Sequence, residues 1–290
     1  MSVAYATYLE DPTDPDPDLD WPLTQQAAQN IGLDIVEQDW RKPCDWSQFD
    51  LVLVRSTWNY SQHLDEFLHW VRNVNLGSKS LNDLKTIEGN VDKKYLATLT
   101  SAGVDVIPTI YLPNDSRNKA LAWLTRVGAV AVKPNVGAGA RLAGRATNAH
   151  ELDDLVEQIH NAGRIAMIQP YLNAVDTHGE IATVLINGEI SHAVKKRPAL
   201  SEGGHGDGLE RVEISESLRA FCDQVGAAAQ RSGLVDDWGS LLYARVDAVP
   251  SVTGKSGWQL MELELTEPAL FFNLWPPAAE KFVAAIAARL

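Results

Sequence analysis

The sequence predicts an open α/β domain followed by two α+β units, and three features of it carry that expectation. Apolar runs alternate with amphipathic stretches across residues 1–90, the pattern of strands feeding helices. After Gly103 a compact succession of short strands and helices begins. Farther on, Asn187-Gly188 separates two strand-like runs and is a strong local hairpin signal.

Taken in order, Val3 to Tyr8 reads as a buried strand running into the acidic loop Glu10 to Asp20, where repeated Asp-Pro pairs block helix. A helix from Leu23 to Asn30 precedes the strand Leu33 to Gln38, and Leu51-Val52-Leu53-Val54 is apolar enough for a central parallel strand. That strand delivers Arg55, Ser56, Thr57, Trp58, Asn59 and Tyr60 at its C-terminal end, where open α/β sheets bind ligands. Leu64 to Val74 is amphipathic, and a second helix runs from Val91 to Ala102 with Gly103 as its C′ residue.

The strands Val106 to Tyr111, Ala129 to Lys133 and Ile165 to Gln169, with helices near Lys119 to Arg126 and Glu151 to Asn161, form the next block. Asn187-Gly188 joins Ile181–Ile186 to Glu189–Val194, and a second hairpin pairs Leu241–Val249 with Trp258–Leu265 around Gly254-Lys255-Ser256-Gly257. Leu218 to Ser232 and Ala278 to Leu290 read as helices around it. The expected units are residues 1–90, 91–172 and 173–290.

Composition narrows the function. Lys and Arg number 25 against 38 Asp and Glu, a formal net charge of −13 that disfavours a nucleic-acid partner. Cys44 and Cys222 have no neighbours at metal-ligand spacing, so neither a disulfide framework nor a structural zinc is expected, and a reducing cytoplasm fits. No basic-then-apolar leader pattern is present, and no stretch approaches the roughly 20 apolar residues of a bilayer span. Export by that route and a membrane partner are not expected, and a homo-oligomer is left open.

The richest chemical signal is Ala131 to Arg145, an apolar strand that delivers Lys133 into a loop with Gly137, Gly139 and Gly144. Glycines let backbone N–H groups approach phosphate oxygens, and the lysine supplies positive charge. A dinucleotide fingerprint would need glycine at Leu142, and a P-loop would need Lys then Ser or Thr at Arg145 and Ala146. Toward the other end, Arg245 and Asp247 share one strand face, as do Glu262 and Glu264. A hairpin between them sets Asp247 opposite Glu262 or Glu264, three carboxylates on one side of a sheet. Hard carboxylate oxygens so grouped suit Mg²⁺.

These motifs, in this order, resemble the ATP-grasp superfamily from about Val91 to Thr266. The order runs through Asp92-Lys93, Val132-Lys133-Pro134, Gln169 to Leu172, Gly179-Glu180, Ala193 to Lys196, Arg245 to Asp247 and Glu262 to Glu264. The resemblance implies ATP held between two α+β sub-domains, with an N-terminal pre-ATP-grasp domain on the substrate side. It further implies that Lys93 and Lys133 hold phosphates beneath a glycine loop that includes Gly137 and Gly139. Gln169, Pro170, Tyr171 and Leu172 form the adenine hinge, and Glu180 faces the ribose. Arg245 with Lys195 or Lys196 serves phosphoryl transfer, and Asp247, Glu262 and Glu264 bind Mg²⁺ or Mn²⁺. Glu264 stands where many relatives carry Asn, and Gln169 where many carry Glu.

Within the superfamily, Arg55 to Tyr60, Gly137 to Arg141, Ser191 to Lys196 and Glu262 to Pro268 are most similar to the O-ureido-D-serine cyclo-ligases of cycloserine biosynthesis. That implies an ATP-dependent carboxylate–nitrogen ligase working through an acyl phosphate. Arg55, Ser56, Thr57, Trp58 and Tyr60 then become expected contacts to a small amino-acid-like substrate. A RimK-like ligase joining a carboxylate to an external amine is the alternative. Ser201 to Gly208 is a candidate lid, and His192 and His205 stay outside the catalytic set.

Overall fold

The computed structural model describes residues 2–8, 17–113, 115–197, 200, 208–251 and 256–290. Strands β1 (Ser2–Thr7), β2 (Asp34–Asp39), β3 (Leu51–Val54) and β4 (Ser80–Leu81) form a parallel sheet of order β2-β1-β3-β4, with α1 (Trp21–Asn30) and α2 (Leu64–Gly77) as connections. Because side chains alternate along a strand, the sheet is apolar on both faces. Ala4, Ala6, Val52 and Val54 pack against Phe67, Trp70 and Val71 of α2, while Val3, Tyr5, Leu51 and Leu53 face α1 and the C-terminal helix. The two-residue β4 has no pattern that sequence reading could detect.

Past this sheet, α3 (Leu84–Asn90) is capped by Asp83, whose side chain accepts from Thr86 N–H. The expected helix from Val91 is the shorter α4 (Tyr95–Ser101), because the chain turns through Asp92 and Lys93 first. The expected strand Val106 to Tyr111 is reduced to β5 (Ile110–Leu112) and an isolated bridge from Val106 to Leu260. Pro108, which has no N–H to give a ladder, separates them.

A second, antiparallel sheet of order β5-β8-β6-β7 follows, built with α5 (Arg117–Val127), β6 (Val130–Pro134), β7 (Gly144–Ala146), α6 (Ala149–Asn161) and β8 (Ala166–Pro170). After α7 (Asn173–His178), the strands β9 (Glu180–Ile186), β10 (Glu189–Lys196) and β11 (Glu210–Val212), the helix α8 (Glu216–Arg231), and β12 (Tyr243–Pro250) and β13 (Trp258–Glu264) complete the third unit. Its sheet is antiparallel, of order β11-β10-β9-β12-β13, and α9 (Pro277–Ala287) ends the chain. At the first hairpin turn Asn187 and Gly188 both take positive φ, 54° and 74°, as the tight turn requires.

The two faces of the third sheet differ in kind. Ala244, Val246, Ala248 and Leu263 pack on Phe221 and Val225 of α8 and on Leu96 and Leu99 of α4. Thus α4 precedes the second sheet in sequence yet buries its apolar side against the third. The opposite face carries Tyr243, Arg245 and Asp247 along β12. Most of the expected lid, residues 201–207, lies outside the described residues, as do residues 10–16 of the acidic loop and residues 252–255 of the second hairpin turn.

Candidate active site

Register decides which charged groups meet. Asp247 lies opposite Glu262 and Arg245 opposite Glu264, so all four project from the same face of β12 and β13. Lys196, at the end of β10, lies opposite Glu180 at the start of β9 and joins them. Alternation turns Lys195 to the other face, so Lys196 is the one of the pair that meets the carboxylates. Gly179 permits the crowding at this end, since its φ is +73° and a Cβ there would lie 2.7 Å from the Lys196 carbonyl oxygen.

Each acid in this row is engaged. Arg245 Nε and Nη2 each reach Asp247 at 2.9 Å, and Nη2 also pairs with Glu264. Lys196 Nζ bridges Asp247 at 2.7 Å and Glu180 at 2.5 Å. Lys93 Nζ meets Glu262 at 3.0 Å and donates to the Gly137 carbonyl at 2.7 Å, which ties the glycine loop to the acidic face. Among the described residues no three such side chains are grouped as a ready metal cage.

The charge balance is uneven. Burial opposes ionisation of Asp247, yet Arg245 and Lys196 hold its carboxyl well below the usual range. Burial is likewise overcome at Glu262 by Lys93 and Lys133, which lower it. Burial pushes Glu264 up to about 8 against the pull of Arg245, with Glu262 adding to the rise. Burial lowers Lys133, opposed by Glu262 and reinforced by Lys93. Among the described residues four cations, Lys93, Lys133, Lys196 and Arg245, face five carboxylates, Glu180, Asp247, Glu262, Glu264 and Glu267. Hard-oxygen donors left short of positive charge suit a divalent cation that arrives with a polyphosphate.

On the opposite wall, the expected hinge is partly committed to the fold. The Tyr171 N–H donates to the Ala129 carbonyl at 3.0 Å, and the Gln169 side chain turns to Thr109 at 2.9 Å. Pro170 closes β8, and Leu172 accepts from the Val175 N–H at 2.9 Å. Glu180, expected at the ribose, is drawn into the Lys196 pair.

The largest departure from expectation is at Arg55. It is 2% exposed, and instead of opening to a ligand it donates to the Pro268 carbonyl at 2.7 Å and lies 3.5 Å from Asp20. Its guanidinium lies over the Tyr243 ring at 4.6 Å. Ser56 shares a 2.6 Å hydrogen bond with Thr7, and Thr57 is fully buried. Trp58 Nε1 donates to the Glu267 carbonyl at 3.0 Å, and the Tyr60 hydroxyl approaches the Glu267 carboxyl. In this structure Arg55 therefore grips the chain itself.

That chain segment, residues 265–272, is a strap directly after the acidic strand. Its carbonyls are taken one after another: Leu265 by Asn82 at 2.8 Å, Thr266 by the Tyr243 hydroxyl at 2.8 Å, Glu267 by Trp58 and Pro268 by Arg55. Arg245 Nη1 takes Ala269 at 3.1 Å and His192 Nε2 takes Leu270 at 2.9 Å. A carbonyl only accepts, so His192 carries its proton on Nε2; burial lowers its pKa to about 4, which keeps it neutral. Asp20 accepts from Leu270 N–H at 2.6 Å and Phe272 N–H at 2.9 Å, and Asn90 from Leu265 N–H at 2.8 Å. Sequence reading missed Asp20, Asn82, Asn90 and Tyr243 here, because main-chain acceptors leave no trace in side-chain pattern. Glu267 left one trace, an acid just past the acidic strand.

The family of the N-terminal domain of D-cycloserine synthetase DcsG matches residues 3–82. The cycloserine biosynthesis protein DcsG of Streptomyces lavendulae is 30% identical over 285 residues, covering 94% of each chain. The crystal structure of D-cycloserine synthetase DcsG superposes with a TM-score of 0.89 at 27% identity, covering 100% of this chain and 99% of that one. D-alanine–D-alanine ligase from Bacillus anthracis, solved with ATP, shares the fold at a TM-score of 0.67 and 16% identity, over 99% and 96% of the two chains.

Proposed function

The chain belongs to the D-cycloserine synthetase family of ATP-grasp ligases, and on that premise we propose that it activates the carboxylate of a ureido-serine-type amino acid as an acyl phosphate and closes it onto a nitrogen of the same molecule. That it is an ATP-dependent ligase follows from the family; the substrate and the ring closure are the proposal. The acyl-phosphate chemistry is supported by the row Lys196, Asp247, Arg245, Glu262 and Glu264 facing Lys93 and Lys133, and the ring closure by likeness to D-cycloserine synthetase.

A carboxylate is a poor electrophile, and phosphorylation gives it a leaving group. Lys93 and Lys133 hold the phosphates under the loop bearing Gly137 and Gly139, while Gln169, Pro170, Tyr171 and Leu172 border the adenine and Glu180 the ribose end. Asp247, Glu262 and Glu264 would hold Mg²⁺ or Mn²⁺, which when bound neutralises charge on the phosphates. Arg245 and Lys196 stabilise the charge that gathers on the transferring phosphoryl group, in a cleft where fixed cations act without the screening of bulk water. The substrate nitrogen then attacks the acyl carbon, and phosphate leaves with the bonding electron pair.

Intermolecular ligation of the RimK type rests on structural likeness at 14% identity, which speaks for fold alone. The discriminating experiment offers O-ureido-D-serine with ATP and a divalent cation. Phosphate release without added amine, with a cyclic product by mass spectrometry, supports ring closure; turnover that needs an external amine refutes it. Hydroxylamine capture of a hydroxamate tests the acyl phosphate.

A further inference from the structure

The strap at residues 265–272 presents one side chain that the chemistry above does not use. Glu267 is 8% exposed, and no lysine or arginine among the described residues forms an ion pair with it. The other acids of the region, the buried Asp20 and Asp247 and the partly buried Glu180, Glu262 and Glu264, each have such a partner. Burial, with Glu262 nearby and Lys93 opposing, raises the Glu267 carboxyl to about 7. A buried carboxylate is stabilised when a cation meets it.

The mount is as telling as the group. Carbonyls on both sides of Glu267 are fixed by side chains from distant segments, so the carboxyl stands on backbone that cannot readily shift. Two residues on, the Ala269 carbonyl is held by Arg245, the cation assigned to the transferring phosphoryl group. The same short segment thus carries the Glu267 carboxyl and, two residues on, is held by Arg245, whose charge is felt at that carboxyl; a negative and a positive group near one another suit an α-amino acid, whose ammonium and carboxylate sit on adjacent carbons.

We propose that Glu267 is the specificity-determining residue of the acceptor site, receiving the ammonium group of an α-amino acid whose carboxylate is turned toward Arg245. This rests on the ligase function proposed above and adds the group that selects its substrate. Tyr60 orients the carboxyl, and the strap makes the discrimination rigid.

The test compares wild type, Glu267→Gln and Glu267→Asp on O-ureido-D-serine and on the analogue lacking its α-amino group, with ADP affinity by calorimetry and melting curves alongside. Loss of a charge-assisted contact made to one substrate only should lower kcat/KM for the amino acid by roughly 100-fold in Glu267→Gln and for the analogue by less than about 3-fold. ADP affinity should hold, and Glu267→Asp should recover part of the loss. Equal losses on both substrates, or none, overturn the assignment. Should Glu267→Gln fail to fold, the same comparison is read from Glu267→Asp, which keeps the charge but draws it back, with a smaller selective loss expected. Wild-type protein that binds ADP but turns over neither compound overturns the proposed function and this inference together; active wild type with an unaltered Glu267→Gln overturns the inference alone.

Discussion

Replacing Arg55 by Met should unfold much of the protein's margin of stability rather than merely weaken substrate binding. In the structure the guanidinium is 2% exposed, donates to Pro268 and faces Asp20 at 3.5 Å. Methionine keeps the bulk of the aliphatic stem but leaves Asp20 as a buried carboxylate with two N–H donors and no cation. Breaking a buried pair from one side costs about 3–5 kcal/mol, a large part of the roughly 5–15 kcal/mol that holds a typical domain.

The loss should depend on pH in a definite direction. Burial raises the Asp20 carboxyl to about 6, with Arg55 pulling it down and Asp18 adding to the rise. A carboxyl whose folded pKa exceeds its unfolded value takes up a proton on folding, so its contribution falls as pH climbs from about 4 to about 6. Without Arg55 the folded pKa rises further, and the variant goes on losing stability at about 1.4 kcal/mol per pH unit beyond that window. Urea denaturation at pH 5 and pH 8 should therefore show the larger deficit at pH 8. Arg55→Met/Asp20→Asn should not add the two single losses, since the pair is one interaction. Wild-type stability in Arg55→Met, with only a raised KM, would refute this and restore the guanidinium to the substrate.

Glu262→Gln should lower turnover at saturating ATP and Mg²⁺ by roughly 100-fold or more, with a melting temperature within a few degrees of wild type, as calorimetry and phosphate release would report. Lys133→Ala should weaken ATP binding about 10-fold and leave adenosine binding unchanged, measured by titration calorimetry. Tyr243→Phe removes a hydroxyl lying 2.5 Å, 3.0 Å and 2.8 Å from the Val54, Leu81 and Thr266 carbonyls, and should cost about 1–3 kcal/mol by denaturant titration. Stripping divalent cations with chelator should abolish turnover, and Mg²⁺ or Mn²⁺ should restore it; full activity in chelator would remove Asp247, Glu262 and Glu264 from their assigned role.

Much of the architecture was legible where a local pattern had only one solution. Leu51 to Val54 is buried at every position, and a run of four apolar residues between polar flanks says so. The positive φ values at Asn187 and Gly188 suit that pair above others. That the acids of β12 and β13 share one face follows from side-chain alternation, whereas the pairing of Asp247 with Glu262, with a bulge after Asp247 that puts Leu260 opposite Ala248, is set by the register of the folded hairpin. The partners of Arg55 were not legible for the same reason that the strand was: its position at a strand end was local information, whereas Asp20 and Pro268 are partners that only the folded chain supplies. Lys93 and Glu262 lie far apart in sequence and meet at 3.0 Å, a contact that the motif order implied but no pattern could measure.

Six carbonyls in succession, from Leu265 to Leu270, take their shape from side chains that belong to other parts of the chain. The path of this stretch is therefore written elsewhere, and its own residues have little say in it beyond the buried Leu265 and Leu270 that anchor its ends. Such a stretch behaves as a socket. A side chain at position 267 can be changed without redrawing the backbone that carries it, while the row of acids and cations stays where it is.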